Sequence, residues 1–424
     1  MEPELSIFDR FETAPDLVEA ARQKGWPDGL VDRALGVRFP RRDLEFWLNH
    51  GTDPQRVATF IEYRDRLQSG TLRSREATWS DDQAVADMYA NSPEQIGEWE
   101  VTVERSPYPF AQFLLQENPN IQVIEDRGVI LAAAAHSSRN TLIGGRRLTC
   151  HIATAWRVRK ECRGQGLTNV MRVLGGPACA WFGLINYWYV RSGNFDAVNW
   201  VKALRPDLAE HTAHGELPGN VSVAVHHFRA RPFDGDPAGI RSAGRSDMRA
   251  CVGLINRTHR GRDLFRPYTV DFLQRRLDDR GWGPKPNFII PVYNWNDYYV
   301  LEENGRIVAC AGLWDRGRDV REVWRHQQTG ETTTIEATAL MDYGFAEGRE
   351  DAMTRLLGYL IGRSDDLGRN ELLAAIEHLP ALVERMSSYE SGPESRQMAV
   401  DGFHEDGLDV DVTITKPYTD LAYW

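Results

Sequence analysis

The sequence has little lysine, few cysteines and no long apolar segment. Only five of its 424 residues are lysine, and 61 Asp and Glu outnumber 50 Lys and Arg. The formal net charge of −11 argues against nucleic acid or an anionic membrane as the main partner, because both bind basic surfaces. The negative charge is compatible with a cationic small substrate.

The cysteines also exclude a class of site. There are five, and no two of them form a CxxC pair, which argues against a zinc site or a disulfide framework. We therefore expect no metal and a reducing compartment. The first residues do not resemble a signal peptide, and the longest apolar run, residues 177–190, is too short to span a bilayer. These features predict a cytoplasmic protein without a membrane partner.

Three regions follow one another along the chain. In residues 1–70, apolar residues recur every three or four positions between Pro and Gly breakers, which predicts a helical module. Residues 71–232 and 237–424 repeat one order of strands and helices, separated by the Pro- and Gly-rich segment RPFDGDPAG. This self-similarity predicts an internal repeat of one α/β domain. The helical module is a packing element, a lid or a homodimer contact.

Several local signals are specific. Ser80 is a plausible N-cap for a helix over SDDQAVADMY, and a second helix is predicted over PYPFAQFLLQ, after a loop. Turns are predicted at Asp126–Gly128 and at Asn304–Gly305, each inside a hairpin. LTCHIATAWRV reads as a strand that leads into a glycine-rich segment.

That segment has the composition of a phosphate-binding turn. A strand ends at Val158, and the chain continues as Arg163, Gly164, Gln165, Gly166, Leu167 and Thr168 into a predicted helix. The glycines allow close approach of the backbone, and the N–H groups of a helix start favour an anion. Arg163 adds a cation. The segment lacks the Lys of a Walker loop and the third glycine of the dinucleotide fingerprint.

The order of elements around this turn resembles the GNAT acyltransferase superfamily. A further family feature, Asn194 followed by Ala197, comes after the next strand. The resemblance implies two tandem α/β domains of the α+β type, each a mixed central sheet flanked by helices. It also implies an acyl-CoA, most simply acetyl-CoA, as co-substrate. Val158 would meet the pantetheine arm, residues from Arg163 to Thr168 the pyrophosphate, and Asn194 the sulfur end. In two positions the sequence departs from the family: Thr168 replaces a Gly or Ala, and Val201 replaces a Tyr that acts as general acid in many members.

The second domain lacks the turn. Aligning its helix places Glu347-Gly348-Arg349-Glu350 under Arg163-Gly164-Gln165-Gly166. Carboxylates beside a pyrophosphate would repel it, and no Asn follows ELLAAIEH. The sequence therefore predicts a tandem GNAT arrangement with an active first domain and a degenerate second one.

The general base is harder to assign. Many family members carry a Glu on the fourth strand, and LTCHIATAWRV has none. His151 is the candidate there, because an imidazole with an ordinary pKa near 6.5 suits the role. Cys150 as a nucleophile, His226 and His227 on the closing strand, and an ordered water are weaker alternatives.

The resemblance places acceptor selection in the loop between the first two helices. That loop contains Glu98, Trp99 and Glu100, and carboxylates beside an aromatic ring can hold an amine. We expect an N-acyltransferase that acts on a small amine or amino-acid-like molecule. An O-acyltransferase, an acyl-CoA decarboxylase and a non-catalytic acyl-CoA-binding protein stay open.

Overall fold

The fold was examined in a computed structural model of the chain. The structure describes residues 15–37, 39, 41–49, 51–106, 109–163, 167, 185–191, 194, 221–278, 280–281, 289–290, 292–402, 417–419 and 421–423. The predicted site residues Gly164, Gln165, Gly166 and Thr168 lie outside the described residues, as do Ala197 and Val201.

Helices and strands alternate through most of the described chain. The helices are α1 (Pro15–Gln23), α2 (Leu30–Gly36), α3 (Arg41–Asn49), α4 (Pro54–Gln68), α5 (Asp82–Ala90), α6 (Met248–Thr258), α7 (Val270–Leu277), α8 (Glu350–Asp366) and α9 (Pro380–Met386). The strands are β1 (Leu72–Glu76), β2 (Glu94–Ile96), β3 (Trp99–Arg105), β4 (Asn120–Asp126), β5 (Val129–Ile143), β6 (Arg146–Val158), β7 (Ile185–Arg191), β8 (Val221–Arg229), β9 (Ile240–Ser242), β10 (Arg280–Gly281), β11 (Ile289–Ile290), β12 (Tyr298–Glu303), β13 (Arg306–Trp314), β14 (Val320–His326), β15 (Thr332–Ile335), β16 (Ala337–Phe345), β17 (Glu371–Ala374) and β18 (Glu390–Gly402).

The chain divides into two compact units. Unit 1 comprises residues 1–77, 122–133 and 157–180, and unit 2 comprises residues 78–121, 134–156 and 181–424. The predicted domain bounds of 70, 232 and 237 are not the bounds of these units, so the three predicted regions stay a prediction.

Unit 1 contains the predicted helical module. Helices α1 to α4 enclose an apolar core in which the Trp47 ring contacts Phe39 edge-on and Phe60 at a tilt, with ring centroids 5.2 Å and 5.1 Å apart. Asp53 caps α4 by accepting a hydrogen bond from the Gln55 backbone N–H at 2.9 Å, as an N-cap residue should. β1 pairs antiparallel with β4, and Arg66 of α4 forms an ion pair with Asp126 at 2.8 Å.

Unit 2 is organised by a long mixed sheet. The strand order through it is β5-β6-β7-β18-β8-β17-β16-β13-β12-β9. Helix α8 covers one face with a buried stripe of apolar residues, and α6 and α7 contribute to a second core. The stripe of α8 recurs every three or four positions, which is the spacing of a helix that packs by one side.

The two sequence repeats exchange a strand in this sheet. β18 belongs to the second repeat, yet it lies between β7 and β8 of the first and pairs antiparallel with both. On its other side β8 pairs antiparallel with β17 of the second repeat. The predicted closing strand VDVTITKP lies mostly outside the described residues, whereas β18 was not predicted.

A second sheet of four strands also joins the two repeats. Its order is β15-β14-β3-β2, and all neighbours are antiparallel. β2 and β3 form a hairpin within the segment that the sequence predicted to be a loop, so that prediction is wrong. The hairpin exists because β14, more than 200 residues later, covers the edge of β3.

Of the other local predictions, some agree with the structure and others do not. The hairpins β4–β5 and β12–β13 are present, and Asn304 and Gly305 both have positive φ, 49° and 72°, as a two-residue hairpin turn requires. The predicted second helix is only a 3₁₀ segment, Ala111–Leu115. Ser80 is inside a 3₁₀ turn, and the residue that caps it is Thr78, whose backbone N–H donates to the Asp81 carboxylate at 2.7 Å.

The Pro- and Gly-rich segment between the repeats is docked against α8. The ring of Phe233 packs at Gly358, and its Cβ and backbone lie at Gly362, where an added Cβ would come within 2.7 Å of the Phe233 Cβ. Arg355 of α8 donates to the Asp236 carbonyl at 2.9 Å and also to the Ala238 carbonyl. The segment is therefore held on α8 by packing and by hydrogen bonds.

Candidate functional site

The first repeat contains a pair of diverging parallel strands. β6 and β7 are paired only from Cys150 to Ile152 with Ile185 to Tyr187. β6 then continues to Val158 and β7 to Arg191. Backbone groups released where a ladder ends need other partners, so the end of this pairing is a place where a ligand can bind main chain.

A residue in a left-handed conformation lies just beyond the last pair. Ala155 has φ 52°, which is uncommon for a residue with a Cβ and marks a local distortion of the strand. The Tyr89 hydroxyl, on the last turn of α5, donates to the Ala155 carbonyl. Tyr89 is itself buried, and Arg105 stacks over its ring at 4.9 Å. The distortion is therefore held by a buried aromatic network.

The predicted phosphate turn follows in unit 1. A 3₁₀ turn, Lys160–Cys162, leads to Arg163, whose Nε lies 3.4 Å from the Val158 carbonyl oxygen. The Arg159 backbone N–H donates to the Leu131 carbonyl at 2.9 Å and fixes the start of the turn on β5. Leu167 is helical and 1% exposed. A strand and a 3₁₀ turn therefore precede the predicted cradle, and Leu167, the one described residue within it, is helical.

Asn194 lies against the four-stranded sheet of unit 2. One face of that sheet, here called the inner face, carries Glu94, Trp99, Glu322, Trp324 and His326, which share a side by strand register. The Asn194 amide nitrogen lies 3.3 Å from a Glu94 carboxylate oxygen. Asn194 therefore joins the inner face from the far end of β7.

A buried ion network holds the same strand end on the inner face. The Glu322 carboxylate, 3% exposed, accepts hydrogen bonds from Arg191 and from Arg316, each at 2.7 Å. The Arg191 guanidinium also lies over the Trp324 ring at 5.4 Å. Arg191 is the last residue of β7, so this network positions the chain that leads to Asn194.

The predicted acceptor residues divide between the two faces of the sheet. Trp99 is on the inner face and contacts His326 and Trp324 edge-on, with ring centroids 4.9 Å and 6.4 Å away. Glu98, in the turn before it, is 67% exposed and lies 3.3 Å from the His326 Nε2. Glu100 is on the opposite face, across from Arg325.

The second repeat has the same pair of diverging strands. β16 and β17 pair in parallel only from Ala337 to Ala339 with Glu371 to Leu373. Asp342 lies three residues after Ala339 and has φ 47°, just as Ala155 lies three residues after Ile152. The carbonyl of Asp342 accepts a hydrogen bond from the Tyr298 hydroxyl at 2.8 Å, as Ala155 does from Tyr89.

The opening between β16 and β17 is nevertheless filled by the chain's own side chains. Tyr343, directly after Asp342, is 3% exposed, and its hydroxyl donates to the Ala375 carbonyl across the gap at 2.8 Å. His259, 0% exposed, lies beside it, with Nε2 3.0 Å from the Tyr343 carbonyl oxygen and Nδ1 3.2 Å from His378 Nε2. These contacts fill the space between β16 and β17 just beyond their last pair.

The second repeat also has no asparagine at the position that corresponds to Asn194 by strand register. Asn194 lies seven residues after Tyr187, and the residue seven after Leu373 is Pro380, which starts α9. Proline has neither a side-chain amide nor a backbone donor. Helix α8 starts five residues after Phe345, with Glu350 and Asp351 in its first turn, so the positive end of its dipole faces its own carboxylates.

Known proteins were compared with this geometry. No protein-family model and no curated protein sequence matches the chain. Crystal structures of Saccharomyces cerevisiae N-myristoyltransferase with bound myristoyl-CoA, and with myristoyl-CoA and inhibitors, both match with a TM-score of 0.54. They are 10% and 11% identical, cover 81% and 83% of this chain, and are themselves covered to 82% and 86%.

The chain has a tandem GNAT fold. N-myristoyltransferase consists of tandem GNAT-like halves, and the match extends over most of both chains. A GCN5-related N-acetyltransferase from Sphaerobacter thermophilus is less similar, with a TM-score of 0.42 at 14% identity over 84% of this chain and 99% of its own. The match to N-myristoyltransferase confirms the α+β fold class and the resemblance in fold that the sequence predicted.

The histidine and cysteine candidates of the tandem GNAT fold are buried. His151 is 6% exposed and stacks on His136, with centroids 5.2 Å apart. Burial, and secondarily His151, lower the pKa of His136 to about 3, so the His136 ring is neutral. Burial raises the pKa of the Cys150 thiol to about 12, which leaves too little thiolate for a nucleophile.

The closing-strand histidines are tied to carboxylates of the second repeat. His226 contacts Glu390 through Nδ1 at 2.7 Å and Glu377 through Nε2 at 2.8 Å. His227 contacts Glu371 through Nδ1 at 2.6 Å. Both histidines lie on β8, so their contacts hold β8 of the first repeat to residues of the second repeat.

Neither a metal cluster nor a membrane span was found in the described part of the chain. No group of three or more His, Cys, Asp or Glu side chains there could hold a metal ion. No helix among the same residues combines the length and the apolar character needed to cross a bilayer.

Proposed function

We propose that the chain is an acyl-CoA-dependent N-acyltransferase that works with the first of its two GNAT halves. The observation that supports this most is the divergence of β6 and β7, with Ala155 at φ 52° just beyond it and the Arg163 turn following. Main-chain groups at such a divergence can hold a thioester and its oxyanion, and a glycine-rich helix start can hold a pyrophosphate.

The roles follow the sequence prediction. Val158 would contact the pantetheine arm, and the pyrophosphate would be bound by Arg163, Gly164, Gln165, Gly166, Leu167 and Thr168. Asn194 would lie near the sulfur. The co-substrate supplies an acyl group activated as a thioester. Regions 71–232 and 237–424 would then be an active and a degenerate GNAT domain, after a helical module over 1–70.

The filled opening of the second repeat supports a single active half. A ligand arm between β16 and β17 would have to displace Tyr343 and break its hydrogen bond to the Ala375 carbonyl. Leaving those buried polar groups without partners costs about 1–3 kcal/mol for each group. Pro380 in place of an asparagine and the acidic first turn of α8 also disfavour binding of an acyl-CoA by the second repeat.

We further propose a primary amine as the acceptor. Trp99, Trp324 and His326 give the inner face an aromatic wall, and Glu94 and Glu98 lie at its margin. Aromatic faces and carboxylates together favour a cationic amine. The amine would be a small molecule or the α-amino group of an amino acid or peptide. A cytoplasmic location and a homodimer also stay as proposals.

The decisive experiment is calorimetric titration of the protein with acetyl-CoA and with myristoyl-CoA. We expect one equivalent of an acyl-CoA to bind per chain, and Arg163→Glu to abolish binding. Arg306→Glu makes the same charge change on an exposed strand residue of the second repeat and should bind as the wild type does.

Three outcomes would contradict the proposal. Absence of binding would mean that the Arg163 segment is only a turn. Two equivalents per chain would refute the single active half. Binding of either acyl-CoA without acylation of any amine would leave a non-catalytic acyl-CoA-binding protein, and thiol release without an acceptor would indicate another thioester chemistry.

A further inference from the structure

The tyrosine on the last turn of α5 is bound to the main chain where β6 and β7 separate. The Tyr89 hydroxyl donates to the Ala155 carbonyl. Ala155 lies three residues beyond Ile152, the last residue that β6 pairs with β7. Because a peptide unit is planar, a hydroxyl that fixes its carbonyl also fixes the direction of its N–H group. Tyr89 therefore acts on the part of β6 where the thioester would bind.

We infer that Tyr89 is a positioning residue for the reaction of the first repeat, which rests on the proposed N-acyltransferase function. It holds the backbone at Ala155 in the conformation in which main-chain groups meet the thioester. It does so through its hydroxyl and without contact to the reacting atoms. This role is the same whichever group removes the proton from the amine.

Ala155 has no polar group of its own to keep this conformation. Its φ of 52° lies in the left-handed region, which a Cβ disfavours. Asn and Asp tolerate this region better, because their short polar side chains form local hydrogen bonds. The methyl group of alanine forms none. Stabilisation of the conformation must therefore come from contacts outside the residue, and the hydrogen bond from Tyr89 is such a contact.

The Tyr89 ring is itself held by buried neighbours. Tyr89 and Arg105 are both buried, and the Arg105 guanidinium lies 4.9 Å from the centre of the Tyr89 ring and 5.4 Å from that of Phe113. Arg105 also donates to the Gln112 side-chain oxygen at 2.9 Å. Arg105 is the last residue of β3, against which α5 packs. A hydroxyl on a ring held in this way has a defined direction, as a positioning group requires.

The second repeat has the same hydrogen bond, made from a different element. The Tyr298 hydroxyl, at the start of β12, donates to the Asp342 carbonyl at 2.8 Å, and Asp342 has φ 47°. The Asp342 carboxylate is bound as well, by Tyr268 at 2.6 Å and by Arg276 at 3.1 Å. The conformation of Asp342 therefore does not depend on one hydroxyl, and Tyr298 is a matched control for Tyr89.

The test compares Tyr89→Phe with Tyr298→Phe, each of which removes one buried hydroxyl. Tyr89→Phe is also made in the Ala155→Gly background, because glycine adopts positive φ without the cost that a Cβ imposes. Each protein is melted thermally and titrated with acetyl-CoA or myristoyl-CoA, whichever the wild type binds. Each is then assayed by thiol release with putrescine, phenethylamine and a tripeptide with a free α-amino group, across a pH series.

We expect Tyr89→Phe to bind the acyl-CoA as the wild type does and to keep the shape of the pH profile. Its kcat should fall about 10- to 100-fold, the scale of loss when a reacting group is misplaced. In the Ala155→Gly background the same change should lower kcat less than about threefold, because the glycine does not need the hydroxyl. Both Tyr89→Phe and Tyr298→Phe should lower the melting temperature, but Tyr298→Phe should keep the wild-type kcat.

A wild-type kcat in Tyr89→Phe would overturn this role while the proposed function stands. An equal loss in both backgrounds would do the same, because the hydroxyl would then act otherwise than through the conformation of Ala155. So would an altered pH profile, which would indicate proton transfer by Tyr89, or a loss confined to acyl-CoA binding. If the wild type acylates none of the amines, the proposed function fails and the role of Tyr89 fails with it.

Discussion

The Glu322 network allows a sharp test of how the end of β7 is held. Glu322 is 3% exposed and accepts from both Arg191 and Arg316 at 2.7 Å. The side chains of the two arginines are 10% and 5% exposed. Glu322→Gln keeps the shape of the side chain but removes the negative charge that both cations contact.

The expected loss of stability is large for one isosteric change. Removing one partner of a buried ion pair costs about 3–5 kcal/mol, because the remaining charge is buried without compensation. Glu104→Gln is the matched control on the neighbouring strand. Glu104 pairs with Arg321 at 2.7 Å, but the two side chains are 35% and 47% exposed, so that loss should be about 0–1 kcal/mol.

Urea unfolding followed by tryptophan fluorescence measures both losses. Trp324 lies against Arg191 and is one of the 13 tryptophans that contribute to the signal. Glu322→Gln should shift the midpoint of the transition far more than Glu104→Gln does. Equal shifts, or a loss below about 1 kcal/mol for Glu322→Gln, would show that the network does not hold the strand end and that the reasoning from burial is wrong.

Two further changes test the packing and the buried histidines. Gly344→Ala should lower the free energy of unfolding by about 1–3 kcal/mol, because the new Cβ would lie 2.4 Å from the Ile255 backbone nitrogen. Thermal melting measures the loss, and Gly358→Ala is the control, because the nearest atom there is 3.4 Å away. A melting temperature of Gly344→Ala no lower than that of Gly358→Ala would contradict the prediction. The pKa of His136 is lowered to about 3 by burial, so between pH 6.5 and 3 the unfolded chain binds a proton that the folded chain does not. Stability should therefore fall on acidification by at most about 1.4 kcal/mol per pH unit from this residue. His136→Leu should flatten the measured dependence, whereas an unchanged slope would mean that the ring is protonated in the fold.

Local signals in the sequence predicted the elements that are stabilised locally. The hairpin turn at Asn304–Gly305 is an example, because its two residues tolerate positive φ without help from distant parts of the chain. The same applies to the helices of the N-terminal module and to α8, whose apolar spacing is evident in the sequence. The GNAT resemblance itself rested on a short motif and on element order, both of which are local features.

The pairings that span the repeats could not be predicted in this way. WEVTVER alternates apolar and polar residues, which is a pattern that predicts a strand and could have identified β3. The neighbouring sequence does not indicate that β14 is its partner. β18 is polar and contains Gly and Pro, so it has little strand propensity. It forms a strand because β7 and β8 leave a place for it.

The same limit applies to the candidate site. Asn194 was identified from its spacing after a strand, whereas Glu94 was missed because its position depends on the sheet that β14 completes. Trp324 and His326 were missed for the same reason. Conversely, the register of β17 made it possible to recognise Pro380 as the counterpart of Asn194, which the sequence alone did not show.

The exchanged strand has a consequence for how the protein is made. During synthesis, β7 emerges from the ribosome 199 residues before the start of β18 and β8 emerges 161 residues before it, yet β18 must lie between them. The first repeat therefore cannot complete its sheet while it is alone, and its open strand edges invite wrong pairings in the interval. Pairing between strands that are so far apart in the sequence slows folding. Separating the two repeats would leave β7 and β8 without the strand that lies between them.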